Sequence, residues 1–359
     1  MKCVHCGTDA RYKDRQGGRC PSCHHTFAFE PKRGAALTDA AFKAAIEAVS
    51  GGGRVRWGVE SLYYEVCRRR RSRMAKGCLP GVAVATGVAF LAALAGGGGW
   101  WLAFGVGLAV LLFVIIQRVA PPQTVRVSLP DFETMWRRWQ EVHGVPEGVI
   151  VRPKRGASKR PLEPDVGDYS FDRAVICDRA RTVDLLLANN FHFENNCAVL
   201  SVNGYPEGPF ETVRAMLKRN PRLQVFALHD ATPAGCRLAH NLTSDPRWFQ
   251  GHVGVTDVGL RPKHAGPFVG LFLPATAAVA PGLGIAPVEA GWLSRYGLEL
   301  AAIRPEQVLK RLYRAINRQL EAMDTTTTSS SSGDDGVDYD SDSFSADAGA
   351  MDGGADGFG

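Results

Sequence analysis

Four cysteines near the N-terminus have the residue type and spacing of a metal site. They form two CxxC pairs separated by 13 residues: Cys3 with Cys6, and Cys20 with Cys23. Each pair places two thiolates on one tight turn, and two such turns can complete a tetrahedral zinc site. A single CxxC can be a redox pair, but two pairs at this spacing favour zinc. His5, His24 and His25 lie beside the cysteines and could serve as substitute ligands.

The zinc predicted here is structural. Four thiolates leave no open coordination position, and a ribbon of residues 1–35 is too short to bury a core of its own. The ion would therefore contribute directly to folding this segment.

Two aspartates follow predicted strands in the second half of the chain. Short apolar runs at residues 174–177, 198–202, 223–228 and 253–258 alternate with helical stretches, which indicates an α/β domain with a parallel sheet. Asp178 comes directly after the first run and Asp230 comes two residues after the third. Carboxylates at the carboxyl ends of parallel strands are suited to Mg²⁺, which can engage a phosphate. Alternatively, the two aspartates only cap strands and helices.

Two segments of this domain carry a family resemblance. Residues 199–206 read VLSVNGYP and residues 225–235 read VFALHDATPAG. They resemble the "GKGYP" and "LxDxDPxG" blocks of the Toprim domain in topoisomerase VI and the related meiotic double-strand-break transesterases. Residues 175–179 lie where that family has a strand ending in "EK", and residues 258–262 resemble its "LGLxP" block. The resemblance implies a Toprim-like sheet flanked by helices that binds nucleic acid.

The resemblance also implies site residues. A Toprim site holds Mg²⁺ with one glutamate and an Asp-x-Asp pair, which places Asp178, Asp230 and Thr232 at the metal. A hydroxyl is a weaker Mg²⁺ ligand than a carboxylate, so Thr232 implies a weakened site with slow or absent strand cleavage. The family nucleophile is a tyrosine in a motif close to "RxxYY", and Tyr64 takes that position. Packing of a helix explains Tyr63 and Tyr64 equally simply.

A long uncharged segment interrupts the chain before the α/β domain. Residues 79–117 form a run of 39 residues without a charged side chain, with four glycines near its middle. Such a length suits two bilayer spans, and the arginine-rich run of residues 68–76 predicts that both termini are cytoplasmic. We therefore expect a transmembrane helical hairpin at residues 79–118 and a location at the membrane. A buried helical hairpin in a soluble core is the alternative.

The remaining segments complete the predicted organisation. A small helical unit with a basic run occupies residues 36–76, a helix and basic loop occupy residues 124–173, and the Toprim-like domain spans residues 174–323. The tail at residues 324–359 contains nine aspartates and no basic residue, and we expect it to be disordered. The whole chain carries +6, so residues 1–323 carry +15, which favours an anionic partner.

Three functions follow from these features. The first is a membrane-anchored zinc-ribbon protein whose Toprim-like domain binds nucleic acid, with or without Mg²⁺-dependent cleavage. The second is a catalytically inactive membrane scaffold or sensor that binds protein partners through the same domain and the ribbon. In the third, the basic residues serve only the membrane surface and the α/β domain acts on a small phosphorylated ligand. The sequence leaves open whether the protein is an enzyme.

Overall fold

The protein forms two compact units in a computed structural model. The model describes residues 1–30, 37–70, 124, 127–151, 171–249, 251, 253–275 and 277–328. One unit comprises the described residues within 1–45 and 65–143, and the other comprises those within 46–64 and 144–359. The helical unit predicted at residues 36–76 is thus divided between them. The predicted basic loop, at residues 152–160, lies outside the described residues.

The N-terminal unit joins the cysteine-rich segment to helices. The helices are α1 (Asp39–Val49, which ends in the other unit), α2 (residues 59–70, which begins in the other unit) and α3 (Leu129–His143). Thr38 caps α1, since its Oγ1 accepts a hydrogen bond from the Ala41 amide at 3.2 Å. The buried Asp39 carboxylate accepts the amides of Ala28 and Phe29 at 2.9 and 2.8 Å, which ties the end of the ribbon to α1.

The second unit contains a four-stranded parallel sheet. Its strands are β1 (Arg173–Cys177), β2 (Cys197–Ser201), β3 (Gln224–Leu228) and β4 (Val255–Asp257), in the order β2-β1-β3-β4. The apolar runs predicted these strands to within about two residues, and the expected α/β class with a parallel sheet is confirmed. The central strands are almost wholly buried because helices pack beside them.

Helices flank this sheet in the chain order expected for parallel strands. They are α4 (Ala180–Ala188), α5 (Phe191–Glu194), α6 (Phe210–Arg219), α7 (Pro233–Cys236) and α8 (Leu238–Ser244). The helical stretch after the third predicted strand consists of two pieces, the short α7 and then α8. Gly235, a weak helix former, lies in the short segment.

The C-terminal part of this unit was not predicted in detail. It contains a two-stranded antiparallel sheet of β5 (Leu273–Pro274) and β6 (Tyr296–Gly297), with α9 (Pro287–Leu293) between them. The long helix α10 (Pro305–Thr328) follows. It includes residues 324–328, which the sequence assigned to the acidic tail, whereas residues 329–359 lie outside the described part.

The expected membrane location is contradicted by the helices. A bilayer span needs about 20 consecutive apolar residues, and no helix among the described residues combines that length with sufficient hydropathy. The longest of them, α10, has 24 residues but is interrupted by charged side chains such as Lys310, Arg314 and Arg318. The prediction of two spans with cytoplasmic termini is corrected accordingly. The segment on which it depended, residues 79–118, lies outside the described residues.

Candidate functional site

The four N-terminal cysteines converge on one point. The Sγ atoms of Cys3 and Cys23 lie 3.7 Å apart, and those of Cys6 and Cys20 lie 3.6 Å apart. A tetrahedral zinc ion with Zn–S bonds of about 2.3 Å would separate its sulfur ligands by about 3.8 Å. The spacing of the thiols therefore fits a single tetrahedral ion, and the cluster could hold a metal as the sequence predicts.

Matching backbone turns present the two cysteine pairs. The Gly7 amide donates to the Cys3 carbonyl at 3.0 Å, and the His24 amide donates to the Cys20 carbonyl at 2.9 Å. Both residues adopt a positive φ, 74° at Gly7 and 58° at His24. The second turn thus places a histidine in a conformation that favours glycine.

The ribbon is completed by a few contacts around the cysteines. Phe27 packs against Cys3 and Cys20, and the guanidinium of Arg15 lies 5.4 Å from the centre of the Phe27 ring. Arg15 also pairs with Glu30 at 3.2 Å. The buried apolar cluster here consists of Cys3, Cys20 and Phe27, so two of its three members are predicted metal ligands, which is consistent with a metal-dependent fold.

The two predicted aspartates meet at the carboxyl edge of the sheet. Strands β1 and β3 are neighbours with Cys177 opposite Leu228, so Asp178 and Asp230 leave the sheet side by side. The backbone amide of Asp230 donates to Oδ2 of Asp178 at 3.0 Å. Oδ1 of Asp178 is enclosed and has no hydrogen-bond partner.

Protein donors occupy the carboxylate of Asp230. Its Oδ1 accepts the Leu300 amide at 2.7 Å. Its Oδ2 accepts Arg179 Nε at 3.1 Å and lies 3.4 Å from a terminal nitrogen of Arg181. Two guanidinium groups thus contact an oxygen that the resemblance implied as a metal ligand, and their positive charge opposes cation binding at this oxygen.

Burial alters the protonation of this pair. Burial and then the charge of Asp230 raise the pKa of Asp178 to about 6. Burial also raises the pKa of Asp230, although the Leu300 amide and the two arginines oppose that change. The protonated form of both carboxyl groups is therefore favoured relative to that of an exposed aspartate.

Thr232 is engaged in a helix cap. Its Oγ1 accepts the Gly235 amide at 3.1 Å, and its carbonyl accepts the Cys236 amide at 2.9 Å, at the start of α7. A side chain at residue 235 is excluded, since a Cβ there would lie 2.2 Å from the Asp230 carbonyl oxygen. Within the described residues, groups of three or more histidine, cysteine or carboxylate side chains that could share an ion occur only in the ribbon.

Tyr64 lies in the interior of the second unit. It is 1% exposed, and its hydroxyl donates to Oε2 of Glu299 at 2.9 Å. Glu299 in turn pairs with Arg181 at 2.7 Å, which connects Tyr64 to the Asp230 carboxylate. Burial and the neighbouring Glu299 carboxylate raise the pKa of Tyr64 well above its ordinary value. The phenol is therefore a hydrogen-bond donor in a polar network, with no exposed oxygen for nucleophilic attack.

A second buried network adjoins Asp230 and was not foreseen. His229 is fully buried, and its Nδ1 and Nε2 lie 2.8 and 2.9 Å from the Asp230 carbonyl and Asp257 Oδ1. Asp257 also pairs with Arg261 at 2.6 Å, and Arg261 pairs with Glu289 at 3.0 Å. Burial alone would lower the pKa of His229, but the hydrogen bond and charge of Asp257 outweigh it and raise that pKa.

The arginines at Asp230 were the most informative residues that the sequence reasoning missed. They follow Asp178 directly, in the sequence Asp178-Arg179-Ala180-Arg181. Two basic residues next to a predicted acidic site are a sequence signal that a carboxylate there can pair with arginine. Glu299 and Leu300 gave no such signal, because they reach the site from far along the chain.

A cavity of about 460 Å³ opens beside Asp178. Asn203 and Asn241 contribute amide groups to its lining, and Arg179 and Arg247 contribute guanidinium groups. The side chains of these arginines are 47% and 79% exposed. Arg247 pairs with Asp245 of the same lining at 2.9 Å, whereas Arg179 keeps an exposed side chain that a solvent-borne ligand can reach.

Comparison of this chain with protein-family models, curated proteins and solved structures gives no match. The likeness to Toprim domains therefore remains a prediction from the sequence blocks alone.

Proposed function

We propose that the second unit is a nucleic-acid-binding α/β domain that does not cleave the strand it holds. The proposal follows from one observation. The Asp230 carboxylate accepts hydrogen bonds from Arg179 Nε, an Arg181 terminal nitrogen and the Leu300 amide. With these donors in place, both oxygens of the Asp230 carboxylate are occupied, and the remaining unpaired oxygen, Oδ1 of Asp178, is enclosed. Mg²⁺ needs several open oxygen ligands.

We expect Arg179 to contact the phosphate groups of the bound nucleic acid. Its Nε is engaged with Asp230, but its side chain is 47% exposed and borders the cavity. The remaining N–H donors of a guanidinium are suited to a phosphate oxygen, and a guanidinium already oriented by a carboxylate loses little entropy on binding. The charge of +15 on residues 1–323 adds a long-range attraction to polyanions.

The Toprim-like architecture is part of this proposal. The resemblance implied a parallel sheet with acidic residues at its carboxyl edge, and Asp178 and Asp230 lie at neighbouring strand ends. A Toprim-like domain that has replaced its metal with arginines would keep the nucleic-acid-binding role and lose the cleaving one. The catalytically inactive scaffold considered from the sequence would use the same domain to bind a protein partner in place of nucleic acid.

The test is the affinity of the full chain for a labelled oligonucleotide. Removing one phosphate contact at Arg179→Gln should weaken binding about tenfold and lower the slope of log K against log salt by about one. Arg179→Lys, which keeps the charge, should lose less. Arg222→Gln is the matched control, since Arg222 is exposed at the amino end of β3. Equal affinities for the two glutamine variants would reject the assignment.

The cavity supports a second candidate ligand. A volume of about 460 Å³ lies in the range of small-molecule sites, so a small phosphorylated molecule could bind Arg179 in place of a polymer. Competition by a mononucleotide separates the two. A mononucleotide that binds as tightly as the oligonucleotide would favour the small ligand.

We also propose that the four cysteines hold a structural zinc ion. The sulfur spacings of 3.6 and 3.7 Å carry this assignment. Cys20→Ser should lose the metal and unfold the ribbon, whereas Ser22→Ala, an exposed position in the same turn, should retain both. Metal content measured on purified full-length protein decides the matter, and a wild-type chain purified without zinc would reject it.

A further inference from the structure

Two exposed histidines from the separate cysteine turns lie against one another. The rings of His5 and His25 are stacked with their centres 4.0 Å apart and their planes 11° from parallel. They belong to different turns, so the fold of the ribbon is what brings them together. Both rings are open to solvent on the surface beside Cys23.

Cys23 of the cysteine cluster is a potential third metal ligand beside the two histidine rings. One nitrogen of each ring and the Sγ of Cys23 all lie within 4.8 Å of one another. A tetrahedral zinc ion would hold two imidazole nitrogens and a sulfur about 3.4 Å apart, which rotation of two exposed side chains can provide. Imidazole and thiolate are the ligands that Zn²⁺ prefers.

We propose that His5, His25 and Cys23 bind a second zinc ion, with the Cys23 thiolate bridging it to the first. The proposal rests on the structural zinc site proposed above. A thiolate sulfur has lone pairs for two metals, and Cys23, which is half buried, belongs to both the cysteine group and the histidine group. No other cysteine belongs to the histidine group among the described residues.

Charge favours a second cation at this point. Zinc bound by four thiolates carries a net charge of about −2, held on a small surface. A second Zn²⁺ with neutral imidazoles would bring that charge to about zero. The second ion would have three protein ligands and one open position, which water would fill. It should therefore exchange faster than the enclosed first ion.

The experiment is zinc stoichiometry of the full chain, with His5→Ala/His25→Ala as the test variant. His24→Asn is the control, because His24 lies between Cys23 and His25 in sequence but outside the ligand group. Asparagine tolerates the positive φ of that position. We expect two equivalents in the wild type and the control, and one in the double variant. A chelating dye should remove the second ion in a distinct fast phase.

Different results would overturn the second zinc site and the structural zinc site on which it rests. One equivalent in the wild type at saturating zinc overturns the second site and leaves the first intact. No zinc at all overturns both. Two equivalents that persist in the double variant place the second ion elsewhere on the chain and also overturn the proposal. Cobalt substitution adds a spectroscopic check, since a bridging thiolate should give a second increment of near-ultraviolet sulfur-to-cobalt absorption.

Discussion

The backbone amide of Asp230 donates a hydrogen bond to Oδ2 of Asp178 at 3.0 Å, across neighbouring strands that lie 52 residues apart in sequence. This contact joins the backbone of one aspartate to the side chain of the other and places the two residues side by side at the edge of the sheet. It leaves Oδ1 of Asp178 enclosed and unpaired, so the ionised form of Asp178 is disfavoured.

That arrangement predicts a pH dependence of stability. The folded state raises the pKa of Asp178 to about 6 from an unfolded value near 3.8. A carboxyl with a raised pKa favours folding below its unfolded pKa, and this advantage is lost as pH rises through about 6. Asp178→Asn keeps an acceptor for the Asp230 amide and removes the charge.

Chemical denaturation at pH 4.5 and pH 7.5 measures this effect. The free energy of unfolding should fall more between these pH values in the wild type than in Asp178→Asn, by about 1–3 kcal/mol. Asp172→Asn, an exposed position before β1, is the control and should behave like the wild type. The same pH dependence in all three proteins would contradict the raised pKa.

His229 should be an imidazolium ion at neutral pH. Both of its ring nitrogens face acceptors, the Asp230 carbonyl and the Asp257 carboxylate, so both must carry a proton. Its raised pKa means that its contribution to stability is present at low pH and is lost as pH rises through the folded value.

Long-range proton–nitrogen NMR spectra at pH 7 check the state of this ring. The resonances that disappear in His229→Gln should show two protonated nitrogens in the wild type. Asp257→Asn removes the charge partner and should shift them towards a neutral ring at the same pH. A neutral tautomer in the wild type would contradict the assignment.

The positive φ of 58° at His24 predicts a stabilising substitution. His24→Gly removes the steric cost of this conformation and should stabilise the ribbon by about 0.5–1 kcal/mol. Gly7→Ala, at the equivalent point of the first turn, should destabilise it by a similar amount. Thermal unfolding of the zinc-loaded protein measures both, and opposite signs for the two changes are the expected result.

The sequence predicted the sheet because each strand is a local apolar run. Ala174, Val175 and Ile176 are fully buried, as a run without polar interruptions requires. It also placed Asp178 and Asp230 at strand ends. That β3 lies beside β1, which brings the two aspartates together, was implied by the family resemblance and not by any local pattern.

What escaped prediction came from distant parts of the chain. The Leu300 amide is 70 residues from Asp230, and Glu299 is 235 residues from Tyr64. Local patterns place Tyr64 on a helix, but only the tertiary fold shows that its hydroxyl is enclosed. The pairing of Asp230 with arginines likewise depends on the side chains of Arg179 and Arg181 turning back to that carboxylate.

The central claim is that the Asp230 site binds nucleic acid through arginines and without a metal. The most direct measurement is the affinity of the full chain for a labelled oligonucleotide in Mg²⁺ and in EDTA at matched ionic strength, with the strand length analysed afterwards. We predict equal affinities in both conditions and an uncut strand after prolonged incubation with Mg²⁺. Binding that is lost in EDTA, or nicking that requires Mg²⁺ and disappears in Asp230→Asn, would contradict the account.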